Sequence, residues 1–539
     1  MSLVLGVDFG TASVRSIVVD SRIGSILGSG EYAYRYAPAC SNPFMVRHHL
    51  DDYRLGLEQS IRKAIKEVDA ALITGLGIGS TGSSILPVLE DGTALLDLPA
   101  HQNNPNAHIW LWKDHTPTEE AVTINSLIHR SYPHYLKRIG SIYSAEWYWS
   151  KVLHCLHVDP DLFGEAYTWI EITDYLLFLL SEKTHIDEAT RNICAASHKA
   201  LYDGEAGGYP PLSFLEDLDE RLIPLGRSLH RSDVQPCDRQ SGRLNSEWAK
   251  RLGLQEGITL ATGALDAHFG ALGAGVGVGT LVKIVGTSSC DLTVVPLDNP
   301  LSDSKGLSGV VQHSVLPGMW GVEAGQSGVG DIFGWYVDSF LEGSHQTLME
   351  EAAALRPGQS GLLSLDWHNG NRSILQDQNL TGLIIGLDLS TTPAEVYRAL
   401  IEATAFGSKM ILDRLEECDM HLKRIVLAGG IPQKNPLLVQ IYADVHERPI
   451  HVAENEYASA LGSAIASSVA CGIHPSIEEA QEAIVPKPTH VIHPNEKATV
   501  IYRRLHSIYR SLHDSFGVAD TAFNLHPVMK ELLSLKNEG

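Results

Sequence analysis

The sequence predicts an α/β protein built from two related halves that face one another across a cleft. Two observations lead there. Short apolar runs alternate with segments of helical period along most of the chain. In addition, one arrangement occurs twice, roughly half a chain apart: a strand, a turn carrying glycine, threonine and serine, then a second strand. The copies are Leu3–Asp20, turning at Gly10-Thr11-Ala12-Ser13, and Leu281–Val295, turning at Gly286-Thr287-Ser288.

The elements follow in order. Residues 3–8 and 14–20 form the first hairpin, a helix covers 51–68, and Ile73–Ser80 adds a strand. Residues 117–185 read as mostly helical around the cluster Trp147-Tyr148-Trp149, 204–212 as a loop, and 243–253 as a short helix. Small residues crowd 261–280 before the second hairpin. Glu323 to Gly328 reads as a polar loop after a strand at Trp320. From 393 to 417, Val396, Leu400, Ala403, Phe406, Met410, Ile411 and Leu415 recur at helical spacing. Ile425–Gly430 is a buried strand ending in paired glycines, and helices cover 436–446 and 458–470. Beyond about 488 the chain is polar and helical, which predicts packing on the outside. The expected units are 1–275, 276–485 and a tail of 486–539.

At 539 residues the chain exceeds one core. A formal net charge of −23 disfavours nucleic acid and anionic membranes as partners, so an anionic substrate must rely on local donors and a cation. Seven cysteines, from Cys40 to Cys471, show no paired metal-finger spacing, which predicts reduced thiols in a cytoplasm. No apolar run is long enough to span a bilayer, and the start lacks a signal-peptide pattern. Asn371-Arg372-Ser373 and Asn379-Leu380-Thr381 match the glycosylation pattern, which carries no meaning inside a cell.

Several segments carry chemistry. The first hairpin tip offers backbone amides, hydroxyls and the carboxylate of Asp8, which suits a nucleotide–metal complex; an ordinary polar turn is the alternative. The P-loop signature is absent, the glycine runs at 75–79 and 273–279 do not complete a dinucleotide fingerprint, and no zinc-protease motif occurs. His48-His49 is read as structural and not as a metal pair. In Gly263-Ala264-Leu265-Asp266-Ala267-His268-Phe269-Gly270, one acid sits among small and apolar residues. It serves either as a general base toward a hydroxyl or as a helix cap. Ala428-Gly429-Gly430-Ile431 either lets adenine and ribose lie on bare backbone or is a tight turn. Glu323 and Gln326 either bind sugar hydroxyls or pin their loop.

Taken together, Asp8-Phe9-Gly10-Thr11, Gly286-Thr287-Ser288 and Ala428-Gly429-Gly430 resemble, in the same order, the FGGY carbohydrate kinases of the sugar kinase–actin superfamily. The likeness is strongest to members acting on L-ribulose. It extends through Arg47-His48-His49, Ser80-Thr81-Gly82-Ser83, Asn104 to Ala107, Leu111 to Thr116, Tyr143 to Trp147, Ser197-His198-Lys199, Gly263 to Gly270 and Glu323 to Ser327. The resemblance covers residues 1 to about 480. It implies two RNase H-like domains, ketopentose and MgATP as small-molecule partners, and transfer to O5 of L-ribulose in arabinose catabolism. Asp266 would be the base. Thr81, Gly82, Lys113, Asp114, Lys199 and Glu323 would contact the ketose with it. Gly10, Thr11, Ser13, Gly286 and Thr287 would meet phosphates, and Gly429, Gly430 and Asn435 would line the adenosine site. Asp8, with Asp266, would organise Mg²⁺. A homodimer is the family expectation. Gly79 departs from an acid frequent in those members, which points to altered substrate preference, and Ser339–Leu365 is shorter than usual. Other readings are a kinase for D-ribulose, D-xylulose or ribitol, an actin-like ATPase, and a non-catalytic sensor on the same fold.

Overall fold

The computed structural model describes residues 2–538 except 37–41, 43, 300, 302, 342 and 343. Two seven-stranded sheets organise it. The first contains β1 (Leu3–Phe9), β2 (Ser13–Asp20), β3 (Ile26–Ala33), β4 (Ile73–Ser80), β5 (Gln240–Arg243), β6 (Thr259–Ala261) and β7 (Ala264–Leu265). Their order is β5-β6-β4-β1-β2-β3, with β7 also on β4. The second contains β8 (Thr280–Val285), β9 (Ser289–Pro296), β10 (Gly309–Gln312), β11 (Met319–Gln326), β12 (Arg424–Ala428), β13 (Ile450–Val452) and β14 (Val491–Ile492). It runs β10-β11-β9-β8-β12-β13-β14.

The two sheets obey one local rule. β1 pairs antiparallel with β2 and parallel with β4; β8 pairs antiparallel with β9 and parallel with β12. Each hairpin thus holds the same place in its own sheet. β1 is almost wholly buried because both faces of its sheet are covered, so its apolar run is nearly continuous and not alternating.

The helices that position the cleft are α1 (Leu50–Ala64), α2 (Ile193–Ala200), α3 (Asp266–Gly273), α4 (Pro393–Glu417), α5 (Gly430–Lys434), α6 (Pro436–His446), α7 (Ala458–Ala470) and α8 (Glu496–Gly517). α4, α6 and α7 match the expected ranges. α4 is sharply bounded because Thr392 and Glu395 form a capping box around Pro393. α1 stops short of residue 68. Within 117–185 one strand interrupts the helices: Thr168–Glu171 joins a four-stranded sheet with Ile85–Val88, Ile109–Trp110 and Arg47–His48. Its four residues are all buried, so no alternation betrays it.

Two expectations are corrected. Glu323 and Gln326 lie in β11, an inner strand between β9 and β10, and not in a loop. Their polarity suggested a loop, but both side chains are buried and bonded within the protein. The tail is not packed on the outside either. One face of α8 places Tyr502, Leu505, Ile508, Tyr509 and Leu512 in the core of the second half. Its polar residues cover the other face and lower the mean hydropathy, which hides the apolar stripe.

α7 comes from the C-terminal half yet lies on the first sheet. It approaches at backbone contact distance: a Cβ on Gly6 would lie 1.9 Å from the Ala460 carbonyl, and one on Gly77 would lie 2.2 Å from that of Ser463. A Cβ on Gly462 would lie 1.8 Å from the carbonyl oxygen of Phe269 in α3. The six described cysteines are free, and Cys40 lies outside the described residues. Among the described residues no helix is long and apolar enough to cross a membrane.

Gly462→Ala should therefore force α7 and α3 apart and cost about 1–3 kcal/mol. Thermal unfolding would show a lowered Tm. Gly164→Ala, where a Cβ meets nothing within 4 Å, should leave it unchanged or slightly raised.

Candidate active site

β1, β4, β6 and β7 run parallel, so their carboxyl ends open on one side, the usual place for a ligand in such sheets. A cavity of about 1020 Å³ lies there, walled by both halves. The turn after β1 contributes Thr11, the end of β4 contributes Thr81 and Gly82, and α3 contributes Asp266. Lys199 enters from α2, Glu323 from β11, and Gly286 with Thr287 from the β8–β9 turn. Eight residues predicted from distant parts of the sequence thus share one cleft.

Asp266 opens α3, and its Oδ1 accepts the Ala267 amide at 2.7 Å. Leu265 is the N-cap and no side chain caps the helix, so Asp266 does not serve as the cap; one of its oxygens is held by the adjacent amide while the residue faces the cavity. Burial raises its pKa, and Glu323 adds to the rise against the pull of Ala267, His268 and Lys199. Asp8 ends β1 nearby. Burial, and then the charge of Asp266, push its carboxyl up to about 7. Its Oδ1 is buried without a hydrogen-bond partner. Two acids that repel one another, one with an orphaned oxygen, form a donor set that suits a hard divalent cation, so these residues fit Mg²⁺.

The opposite end of the cleft is charge-compensated. Lys199 Nζ reaches both oxygens of Glu323, at 3.2 and 3.4 Å, and lies 5.1 Å from the Trp147 ring centroid. His268 Nε2 bonds the same carboxylate at 3.1 Å, and His268 Nδ1 bonds Cys194 Sγ at 3.0 Å. Burial disfavours ionised Glu323, but Lys199 and His268 overcome it and hold the carboxyl well below its ordinary value. Burial likewise opposes the His268 cation, yet Cys194 and Glu323 raise that imidazole to about 10.

Comparison with known proteins gives the same frame. The model of the FGGY family of carbohydrate kinases, N-terminal domain, matches residues 3–273, and that of its C-terminal domain matches 281–471. The chain belongs to the FGGY family of carbohydrate kinases. A protein from Halalkalibacterium halodurans named ribulokinase is 36% identical, over 99% of this chain and 97% of its own. Another of that name from Vibrio parahaemolyticus is 34% identical, over 94% and 95%. Among solved structures, ligand-bound xylulose kinase from Lactobacillus acidophilus shares the fold at a TM-score of 0.81 and 17% identity, covering 96% of this chain and 99% of its own. Plasmodium falciparum glycerol kinase with ADP does so at 0.78 and 16%, covering 96% and 98%.

Not every residue expected from this family lies on the cleft. Asp114 is fully buried in an ion pair with Arg47, and its oxygens also accept the amides of Val46 (2.7 Å) and Thr116 (3.2 Å). It braces the chain before the cleft instead of meeting sugar. Lys113 is exposed on the outer side of that brace. Ser13 donates its hydroxyl to Glu31 at 2.8 Å, and Gly10 closes the turn through its amide to Ser13 O at 3.0 Å. Asn435 uses its side-chain oxygen to cap α6 at Leu438. Gly429, at φ +105°, seats the β12–α5 turn against Val285, where a Cβ would lie 2.4 Å from the carbonyl; Gly430 starts α5. Both adjoin the β8–β9 turn. Gly79 is a packing residue: a Cβ there would lie 2.7 Å from the buried Phe269 ring. His48 and His49 are structural as expected, one bonded to Tyr53 OH at 3.1 Å and the other capping α1.

Four FGGY cleft residues escaped the sequence reading. Trp112 donates to Thr11 Oγ1 at 3.1 Å, Trp147 lies beside Lys199, and His268 holds Glu323. The motifs quoted for the family contained all three. Arg372, hidden in a glycosylation-like triplet, bonds the Ser289 carbonyl and lines the cavity.

A raised carboxylate pKa means the folded protein binds more protons than the unfolded one between the two values. For Asp8 this stability is present near pH 3.8 and is lost as pH climbs through about 7. Asp8→Asn removes the loss. Its melting temperature without ligand should exceed that of the wild type by more at pH 8 than at pH 5, and an equal gain at both would contradict the assignment.

Proposed function

We propose that this chain transfers the γ-phosphoryl group of MgATP to the O5 hydroxyl of L-ribulose, giving L-ribulose 5-phosphate. The relatives named ribulokinase, similar over nearly the whole chain, support ribulose as the acceptor. One geometric observation carries the chemistry. The Asp266 carboxylate, its pKa raised by burial, faces a cavity that also exposes the Lys199–Glu323 pair and the Gly286-Thr287 turn.

In this reading Lys199 and Glu323 present a donor and an acceptor to the ketose hydroxyls, with Thr81 and Gly82 beside them. Asp266 accepts the O5 proton as the oxygen attacks, while Ala267 N–H fixes the carboxylate's orientation. Thr11 and the amides of the Gly286-Thr287 turn receive the phosphates from both sides. Asp8 and Asp266 would hold a magnesium ion, which would supply charge neutralisation on the transferring group when bound. The Gly429-Gly430 turn lies against Val285 at the foot of the phosphate hairpin, which supports it as the adenosine end. Water is kept from the reacting centre by the flanking tryptophans and by approach of the two halves. Free thiols support a reducing cytoplasm as the working compartment.

Coupled ADP release against L-ribulose, D-ribulose, L- and D-xylulose, ribitol and glycerol tests the reading. Strong preference for L-ribulose is expected; turnover with another polyol alone would move the substrate, and ADP formation independent of any sugar would sink the kinase. Asp266→Asn should lower kcat by about 10²–10⁴-fold while ADP binding persists. Lys199→Ala should raise the KM for ketose more than that for ATP, and the reverse would move the lysine to the nucleotide.

A further inference from the structure

Beneath the sugar end of the cleft, His198, His268 and Glu323 converge, each buried. His268 Nε2 lies 3.1 Å and His198 Nδ1 3.5 Å from the same Glu323 oxygen, and the three donor atoms lie within 4.8 Å of one another. Zinc bound tetrahedrally at about 2.0–2.1 Å separates neighbouring ligands by about 3.3–3.4 Å. The two measured separations bracket that value.

The outer bonds of both rings are those a metal ligand needs. His198 Nε2 lies 3.0 Å from Ser314 Oγ, and that hydroxyl donates onward to the Val311 carbonyl at 3.3 Å. With its proton on Nε2, where the Ser314 oxygen can accept it, the imidazole turns a bare Nδ1 lone pair toward Glu323. That nitrogen is buried with no hydrogen-bond partner. An acceptor facing a carboxylate is unfavourable unless a cation stands between them. His268 is oriented by Cys194 on Nδ1, which leaves Nε2 for the shared centre. Gly309 keeps the space beside His198 Nδ1 clear, since a Cβ there would lie 2.2 Å from it.

We propose that His198, His268 and Glu323 form a binding site for a zinc-class divalent ion, whose occupancy excludes sugar from the cleft. Two imidazoles and one carboxylate suit zinc and not magnesium, whose donors are oxygens. The ion enters through the cavity, which His268 and Glu323 line. On binding, the His268 proton leaves Nε2 for solvent. Lys199 gives up Glu323 and swings into the cavity that it lines. The fourth position then faces the space assigned to the ketose. That competition rests on the proposed role of Lys199 and Glu323 as sugar contacts; the binding of the ion does not.

The test uses the full chain, stripped of metal and held in excess Mg²⁺ so that Asp8 and Asp266 are not available to zinc. Titration with Zn²⁺ against a chromophoric chelator should show one tight ion per chain, and Co²⁺ at the site should give the intense visible bands of tetrahedral coordination. His198→Phe should abolish the tight site. Ser314→Ala, which removes only the outer bond, should weaken it about 10–100-fold. Absence of tight zinc in the wild type, or unchanged affinity in both variants, would overturn the site. Saturating L-ribulose should weaken zinc binding. If zinc binds and responds to the variants but ignores the sugar, the ion site stands and the placement of the ketose fails.

Discussion

The close seating of α7 against the first sheet and α3 is the contact on which the rest of this structure depends. It is made of glycine, alanine and serine, because only a side-chain-poor face lets helix and strand backbones touch. Ser463 Oγ reaches Val7 O at 3.2 Å, one residue before Asp8. Phe269, three residues beyond Asp266, packs its backbone on Gly462 and its ring on Gly79. A helix contributed by the C-terminal half thereby sets the positions of both cleft acids. The Gly286-Thr287 turn and the Lys199–Glu323 pair are held in relation to those acids by this seam together with the bonds that Lys199 and His268 make to Glu323. Small residues there carry little transfer free energy individually; their value is the short distance they permit.

Charge is distributed unevenly along the cleft, and the unevenness sorts its chemistry. Burial raises the pKa of both Asp8 and Asp266, and the charge of Asp266 raises Asp8 further, so free energy is available to whatever cation or proton arrives. Glu323, by contrast, is stabilised by Lys199 and by the His268 imidazolium and stays ionised. Identical carboxylates therefore do different work because their neighbours differ. The same compensated group frames the zinc proposal: the carboxylate is already set among imidazoles, and the ion has to displace Lys199 and the His268 proton.

A second buried network ties the β8–β9 hairpin to the tail. Lys283 in β8 bonds Asp291 (2.8 and 2.9 Å) and the Gln326 carbonyl (2.8 Å). Gln326 donates to Asp366 at 2.6 Å, and Tyr509 of α8 donates to the same carboxylate at 2.6 Å. Every member is buried and bonded, so the network rigidifies the β8–β9 hairpin. A tail helix that looked peripheral thus supports the strand pair that carries Gly286 and Thr287.

The sequence by itself determined the α/β class, the two hairpins, the ranges of α4, α6 and α7, and the members of the cleft that stand at strand ends. These follow from local periodicity, capping and turn chemistry, which are short-range physics. Polar strands and amphipathic tails were misread for the same reason: local polarity does not reveal whether a partner lies across the fold, as Glu323, Gln326 and Tyr509 show. Asp114 had the right motif but the wrong neighbour, since Arg47 claims it. His268 and Arg372 were visible as letters, yet their roles arise from distances to residues far along the chain. Only the tertiary structure decided those, because burial and pairing are properties of three-dimensional neighbours.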